Sequence, residues 1–202
     1  MSTDAVPTFF PADLAFEAMG NTSKRWQNHY DTKKIFAPPE VTIAVSAGPG
    51  RGKFRQIALE AIVQGRIAFA LMDGGASVVE AYRIAAQFSY LGENKGPRSW
   101  DEAAPLDPVL DRCAGCVFAV GDTFLIWRAG GSQPDNRGIA ILSDADPVFS
   151  CESGISAPLV VAGVVCAHAA APRVLINLSQ ICREIAEKLG LDFDKTFVTE
   201  VE

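Results

Sequence analysis

A basic, glycine-rich stretch, SAGPGRGKFRQ (46–56), lies between two apolar runs, VTIAV (41–45) and IALEAIV (57–63). Gly48, Pro49, Gly50 and Gly52 fall too close together for a helix or strand to run through them, so the chain must turn here. In VTIAVS the β-branched Val41, Ile43 and Val45 alternate on one side, the pattern of a half-buried strand. KFRQI either returns as its partner or enters the next helix. The turn is not a nucleotide-binding loop. That motif, G-x-x-x-x-G-K-[ST], needs a glycine where this chain has Ala47 and a magnesium-binding hydroxyl where it has Phe54.

The cations of the turn belong to a larger pattern. The chain has 202 residues and a net charge of -6, but the charge is uneven. Residues 1–100 carry +2 and residues 101–202 carry -8. Within 21–66, Lys24, Arg25, Lys33, Lys34, Arg51, Lys53, Arg55 and Arg66 outnumber Asp31, Glu40 and Glu60. A locally basic segment on an acidic chain is the electrostatic footprint of a polyanion site, although a solvated charged face gives the same pattern. The N-terminus has no basic start with an apolar run, and no uninterrupted apolar span of ~18 residues exists, so neither a signal peptide nor a membrane helix is expected. Five cysteines, an odd number, fit a reduced, cytoplasmic protein.

Around this segment the pattern is helical. PADLAFEAM (11–19) places Leu14, Ala15, Ala18 and Met19 on one face behind a first-turn proline, and Gly20 ends it. Asn21-Thr22-Ser23 then opens a second helix through KRWQNHY. Residues 56–72 read as a buried helix weakened by Gly65, and Ser77-x-x-Glu80 caps another, with Ala81, Ile84, Ala85 and Phe88 inward.

AFEAMGNTSKRWQNHY, the basic turn GPGRGKFR and the following GGASVVEAYRIAAQF together resemble the MerR-like winged helix-turn-helix group of bacterial and phage transcription regulators. The resemblance covers residues 10–90. It departs where a small residue usually precedes the turn glycine by four, here Phe16, and where an apolar residue usually follows it, here Asn21. It implies a recognition helix bearing Thr22, Ser23, Lys24, Arg25, Gln27 and Asn28, with Trp26 inward. Arg25 is suited to guanine, Gln27 or Asn28 to adenine, and Lys24 or Ser23 to phosphate. Lys33 and Lys34 extend the basic surface, and Arg51, Lys53 and Arg55 form a wing that grips phosphates without reading sequence.

The fold class expected is α+β: a winged helix-turn-helix domain with extra helices (8–92), a polar linker (93–108), and a small α+β domain (109–202) with an antiparallel sheet and a terminal helix. In the last, Val117–Val120 and Phe124–Trp127 read as a hairpin. Ile139–Leu142, Leu159–Cys166 and Arg173–Leu178 read as further strands, and Ser179 as the cap of QICREIAEKL. Cys113-Ala114-Gly115-Cys116 is a C-x-x-C for which Cys166 and His168 are the candidate further zinc ligands. With no second C-x-x-C, the thiols read as buried structural ones.

No serine or cysteine sits in a nucleophile motif, and neither Asp144-x-Asp146 nor Asp192-x-Asp194 completes a calcium loop. No enzyme activity and no cofactor are expected. The partners expected are double-stranded DNA, a second copy of the chain, and RNA polymerase or another basic protein on the acidic half. The alternative is a protein–protein adaptor of phage or anti-defence type without DNA binding.

Overall fold

The computed structural model describes residues 9–20, 23–46, 54–96, 105–128, 138–149, 160–161, 164–165 and 173–201. Among them the protein is α+β, with six helices and small antiparallel sheets. Strand β1 (Phe9–Pro11) leads into helix α1 (Ala12–Ala18), with Pro11 at the N-cap, where no backbone donor is missed. Gly20, at φ 90°, turns the chain toward helix α2 (Ser23–Asp31). Strands β2 (Ala44–Ser46) and β3 (Phe54–Ala58) follow, in a sheet of order β1-β3-β2.

The sheet's register is set by apolar pairs, Phe10 opposite Ile57 and Ala44 opposite Ile57, with a bulge between Val45 and Ser46. Val45 is exposed, whereas Ile43 and Ala44 pack on the core. The single buried side expected for Val41, Ile43 and Val45 is therefore broken where the bulge re-aims the chain.

KFRQI does both things its sequence permits. Strand β3 pairs with both neighbours and runs without a loop into helix α3 (Leu59–Asp73). Helix α3 is buried nearly all round, through Ala61, Ile62, Val63, Gln64, Ile67, Ala68, Phe69 and Leu71. Each fully buried isoleucine or leucine contributes about 1.5–3 kcal/mol. Helix α4 (Val78–Tyr90) starts as expected, with Ser77 accepting from the Glu80 N–H.

Beyond α4, β4 (Glu93–Asn94) pairs with β5 (Asp111–Arg112). Buried Asp111 accepts from the backbone N–H groups of Lys95, Gly96 and Asp107. Arg112 lies fully buried, its guanidinium 4.8 Å from the centre of the Phe88 ring. It donates to the carbonyls of Gln87, Phe88, Cys113 and Cys116, with Glu93 at 3.6 Å. A cation thus closes the last turn of α4, where carbonyls lack helical partners.

A second sheet has the order β10-β6-β7, from β6 (Thr123–Arg128), β7 (Ile139–Ser143) and β10 (Arg173–Asn177). The 117–120/124–127 hairpin does not form. Positive-φ Gly121 redirects the chain, and Val117 bridges Val198 in parallel, bonding Phe197 and Thr199. Strand β6 takes its partners from β10 and β7 instead. The 159–166 strand is a short antiparallel pair, β8 (Val160–Val161) with β9 (Val164–Val165).

Helix α5 (Leu178–Leu189) buries Ile181, Cys182, Ile185 and Leu189 and ends at Gly190 in the left-handed region. Its cap is Asn177, which accepts from the Gln180 N–H at 2.8 Å, and not Ser179. Ser179 lies inside the helix and accepts from the Thr123 N–H. A short α6 (Phe193–Phe197) closes the described chain's helices.

Of the stretch 93–108, expected as a linker, residues 97–104 lie outside the described residues. One buried cluster takes Phe10, Trp26 and Phe88 from one side of it and Leu125, Ile185 and Phe197 from the other. Helix α5 lies against α1 and α3, with ion pairs Lys188–Glu17 and Arg66–Glu184.

Candidate nucleic-acid interface

Helix α2 is seated by its inner face. Trp26 is fully buried, edge-on to Phe16 at 5.8 Å between ring centres and stacked on Tyr30 at 5.4 Å. Phe16, which departs from the small residue of the resembled group, thereby lines the Trp26 site. Across from it, Gly65 of α3 leaves room for the indole. A methyl group there would come within 2.5 Å of Met19 Sδ and 3.2 Å of Trp26 Cδ1. The glycine that weakens α3 as a helix is what lets α2 approach it.

One turn on, His29 is buried against Tyr82 of α4, with Nδ1 3.2 Å from the Tyr82 hydroxyl. Burial lowers the His29 pKa, and the charges of Arg25 and Lys34 lower it further. Both cations therefore lie close to one imidazole. Burial also raises the Tyr82 pKa, so its hydroxyl stays protonated and able to donate to a neutral imidazole.

The outer face of α2 presents Lys24, Arg25, Asn28 and Asp31, with Ser23 and Gln27 half-buried beside them. Helical periodicity explains most of the division: 24, 28 and 31 fall on one side and 26 and 29 on the other, with Arg25 at the border, one turn before His29. Lys33, at φ 53°, lies exposed just past the helix, and Lys34 donates its backbone N–H to the His29 carbonyl. Thr22 of the recognition set, and Arg51 and Lys53 of the wing, lie outside the described residues. Arg55 belongs to β3 through its backbone.

Arg25 is placed in a way its sequence position does not announce. Its guanidinium stands 4.9 Å from the centre of the Phe69 ring. Nη1 is 3.6 Å from Asp73 Oδ1, and Nη2 donates to Met72 Sδ at 3.5 Å. All three partners lie at the C-terminal end of α3. Nothing local marks Asp73 as a partner 48 positions from Arg25; the two meet only because Gly65 lets the helices pack.

The C-x-x-C forms a tight turn through positive-φ Gly115, with Cys113 exposed and Cys116 half-buried. Burial and the neighbouring Cys113 push the Cys116 thiol up to about 11, so the free thiol is protonated at neutral pH. Among the described residues no group of three or more His, Cys, Asp or Glu side chains is placed to hold a metal ion. The further candidates Cys166 and His168 lie outside those residues. A hollow of about 290 Å³ between α1 and α5, lined by Glu17, Gly20, Arg66, Glu184, Glu187 and Lys188, joins the basic and acidic halves.

No family model matches the sequence, and comparison with curated proteins finds no match. Among the described residues no helix is long and apolar enough to cross a membrane.

Proposed function

We propose that the chain is a sequence-specific regulator that binds double-stranded DNA through α2, in the manner of the MerR-like winged helix-turn-helix proteins its first half resembles. The observation that carries this reading is the two-sidedness of α2. Trp26 and His29 anchor it, while Lys24, Arg25 and Asn28 face outward with Gln27 half-exposed, a donor-rich surface suited to the major groove. The element order β1-α1-α2-β2-β3-α3-α4, with a positive-φ glycine between α1 and α2, supports it further. In this reading Arg51 and Lys53, with Arg55 of β3, hold adjacent phosphates as the wing. The acidic second half faces away from the duplex and is free to meet RNA polymerase or another basic protein. Regulators of this kind pair about a two-fold axis, so a homodimer is the binding unit.

The test is binding to duplexes enriched from a random-sequence pool by the purified protein, followed over a range of salt. Each phosphate neutralised adds about -0.9 to the slope of log K against log salt, so a steeply negative slope is expected. Asn28→Ala is expected to cost about 1–3 kcal/mol on the enriched sequence and far less on an unrelated one. Failure to enrich any sequence, with salt-independent binding, rejects the reading and leaves a protein–protein adaptor in its place.

A further inference from the structure

Resting on the DNA-binding reading, we propose that Asp73 is an intramolecular competitor for DNA, occupying the edge of Arg25 that would otherwise pair with a base or a phosphate. A guanidinium grips guanine or phosphate through two parallel N–H groups in its plane. In Arg25 that edge is turned to α3, with Nη1 facing Asp73 Oδ1 at 3.6 Å and Nη2 on Met72 Sδ at 3.5 Å. A carboxylate presents the same paired oxygen acceptors as a phosphate. The two partners therefore exclude one another: Arg25 on Asp73 cannot also be on DNA.

Two further features favour a competitor over a structural brace. Asp73 is the last residue of α3, where the helix dipole disfavours negative charge, so helix stability does not call for a carboxylate here. The pair is also loose and wet, with side chains 43% and 75% exposed, so a duplex can displace it at little cost. The Phe69 ring holds the guanidinium by its face. With Asp73 neutralised, Arg25 stays in place while its edge is freed.

The experiment measures fluorescence anisotropy of a labelled duplex, selected from a random pool by the wild-type protein, with wild type, Asp73→Asn, Arg25→Gln, the double variant and Asp31→Asn. Asp31→Asn removes an exposed carboxylate from α2 and reports the general effect of charge. Asp73→Asn is expected to tighten binding by about two- to fivefold, more than Asp31→Asn does. In the Arg25→Gln background the gain from Asp73→Asn should shrink to that of Asp31→Asn. A gain equal in both backgrounds, no gain, or a weakened Asp73→Asn complex overturns the competitor. Absence of salt-dependent binding by every variant, with melting temperatures showing them folded, overturns the DNA-binding reading as well.

Discussion

Arg25 and Arg112 are built from the same parts and have opposite exposures. Each guanidinium stands over a phenylalanine near the C-terminal end of a helix, Phe69 on α3 and Phe88 on α4, at 4.9 and 4.8 Å. Each has a carboxylate oxygen at 3.6 Å. Arg112 adds four backbone carbonyls and is sealed from solvent, whereas Arg25 has a thioether and open water. The contrast shows what a buried position asks of a cation: Nη1 and Nη2 are taken up in closing a helix and a turn, while the buried Nε has no partner among the described residues. Arg25 keeps its edge on a partner that a competing anion can replace. One arginine holds the fold, and the other is held in reserve.

That difference has measurable consequences. Arg112→Ala removes one of the two cations beside Glu93, the other being Lys95 at 3.1 Å, and leaves several buried carbonyls unpaired, so a loss of about 3–5 kcal/mol is expected in urea unfolding. A loss below about 1 kcal/mol, the size of an exposed pair, would place Arg112 in the same class as Arg25. Gly65→Val probes the seat beneath α2. Its methyl groups must displace Met19 and press on Trp26, so about 1–3 kcal/mol should be lost, with a change in tryptophan fluorescence.

A smaller, pH-dependent loss is expected from His29. Its folded pKa lies below the unfolded value of 6.5, so the unfolded chain takes up a proton first as pH falls. The stabilising contribution is full above that value and declines as pH drops toward the folded pKa. From about pH 7 to about pH 5, wild type should lose more stability than His29→Gln, and parallel titration curves would show that the imidazole is not the group responsible. Least of all, Arg25→Gln should change stability by about 0–1 kcal/mol, since its ion pair is exposed, while its effect on DNA affinity is larger.

The helices were legible because their periodicity and punctuation agree. Gly20, Ser77 and Gly190 mark ends that the structure keeps, and Trp26 lies inward, as the resemblance implies. The second sheet was harder. Val117–Val120 is apolar enough for a strand, but its partner, Val198, lies far along the chain, and no local pattern encodes that pairing. Asn177 and Ser179 are both competent caps, and the choice falls to Asn177 because Thr123 claims the Ser179 hydroxyl. Of the proposed interface, the outward placement of 24 and 28, residues that the resemblance implies, follows from helical spacing. The tether of Arg25 to Asp73 does not, because it depends on how two helices cross.

The docking of α5 on α1, together with Val174 pressed against Gly74, bears on how such a chain can be inherited. A methyl group at Gly74 would lie 2.8 Å from Val174 Cγ2, so the end of α3 fits flush against β10. A gene fusion that carried off only residues up to 92 would leave behind the surface they rest on, with apolar faces of α1 and α3 bare to water. Recombination can shuffle this protein as a whole far more readily than by halves.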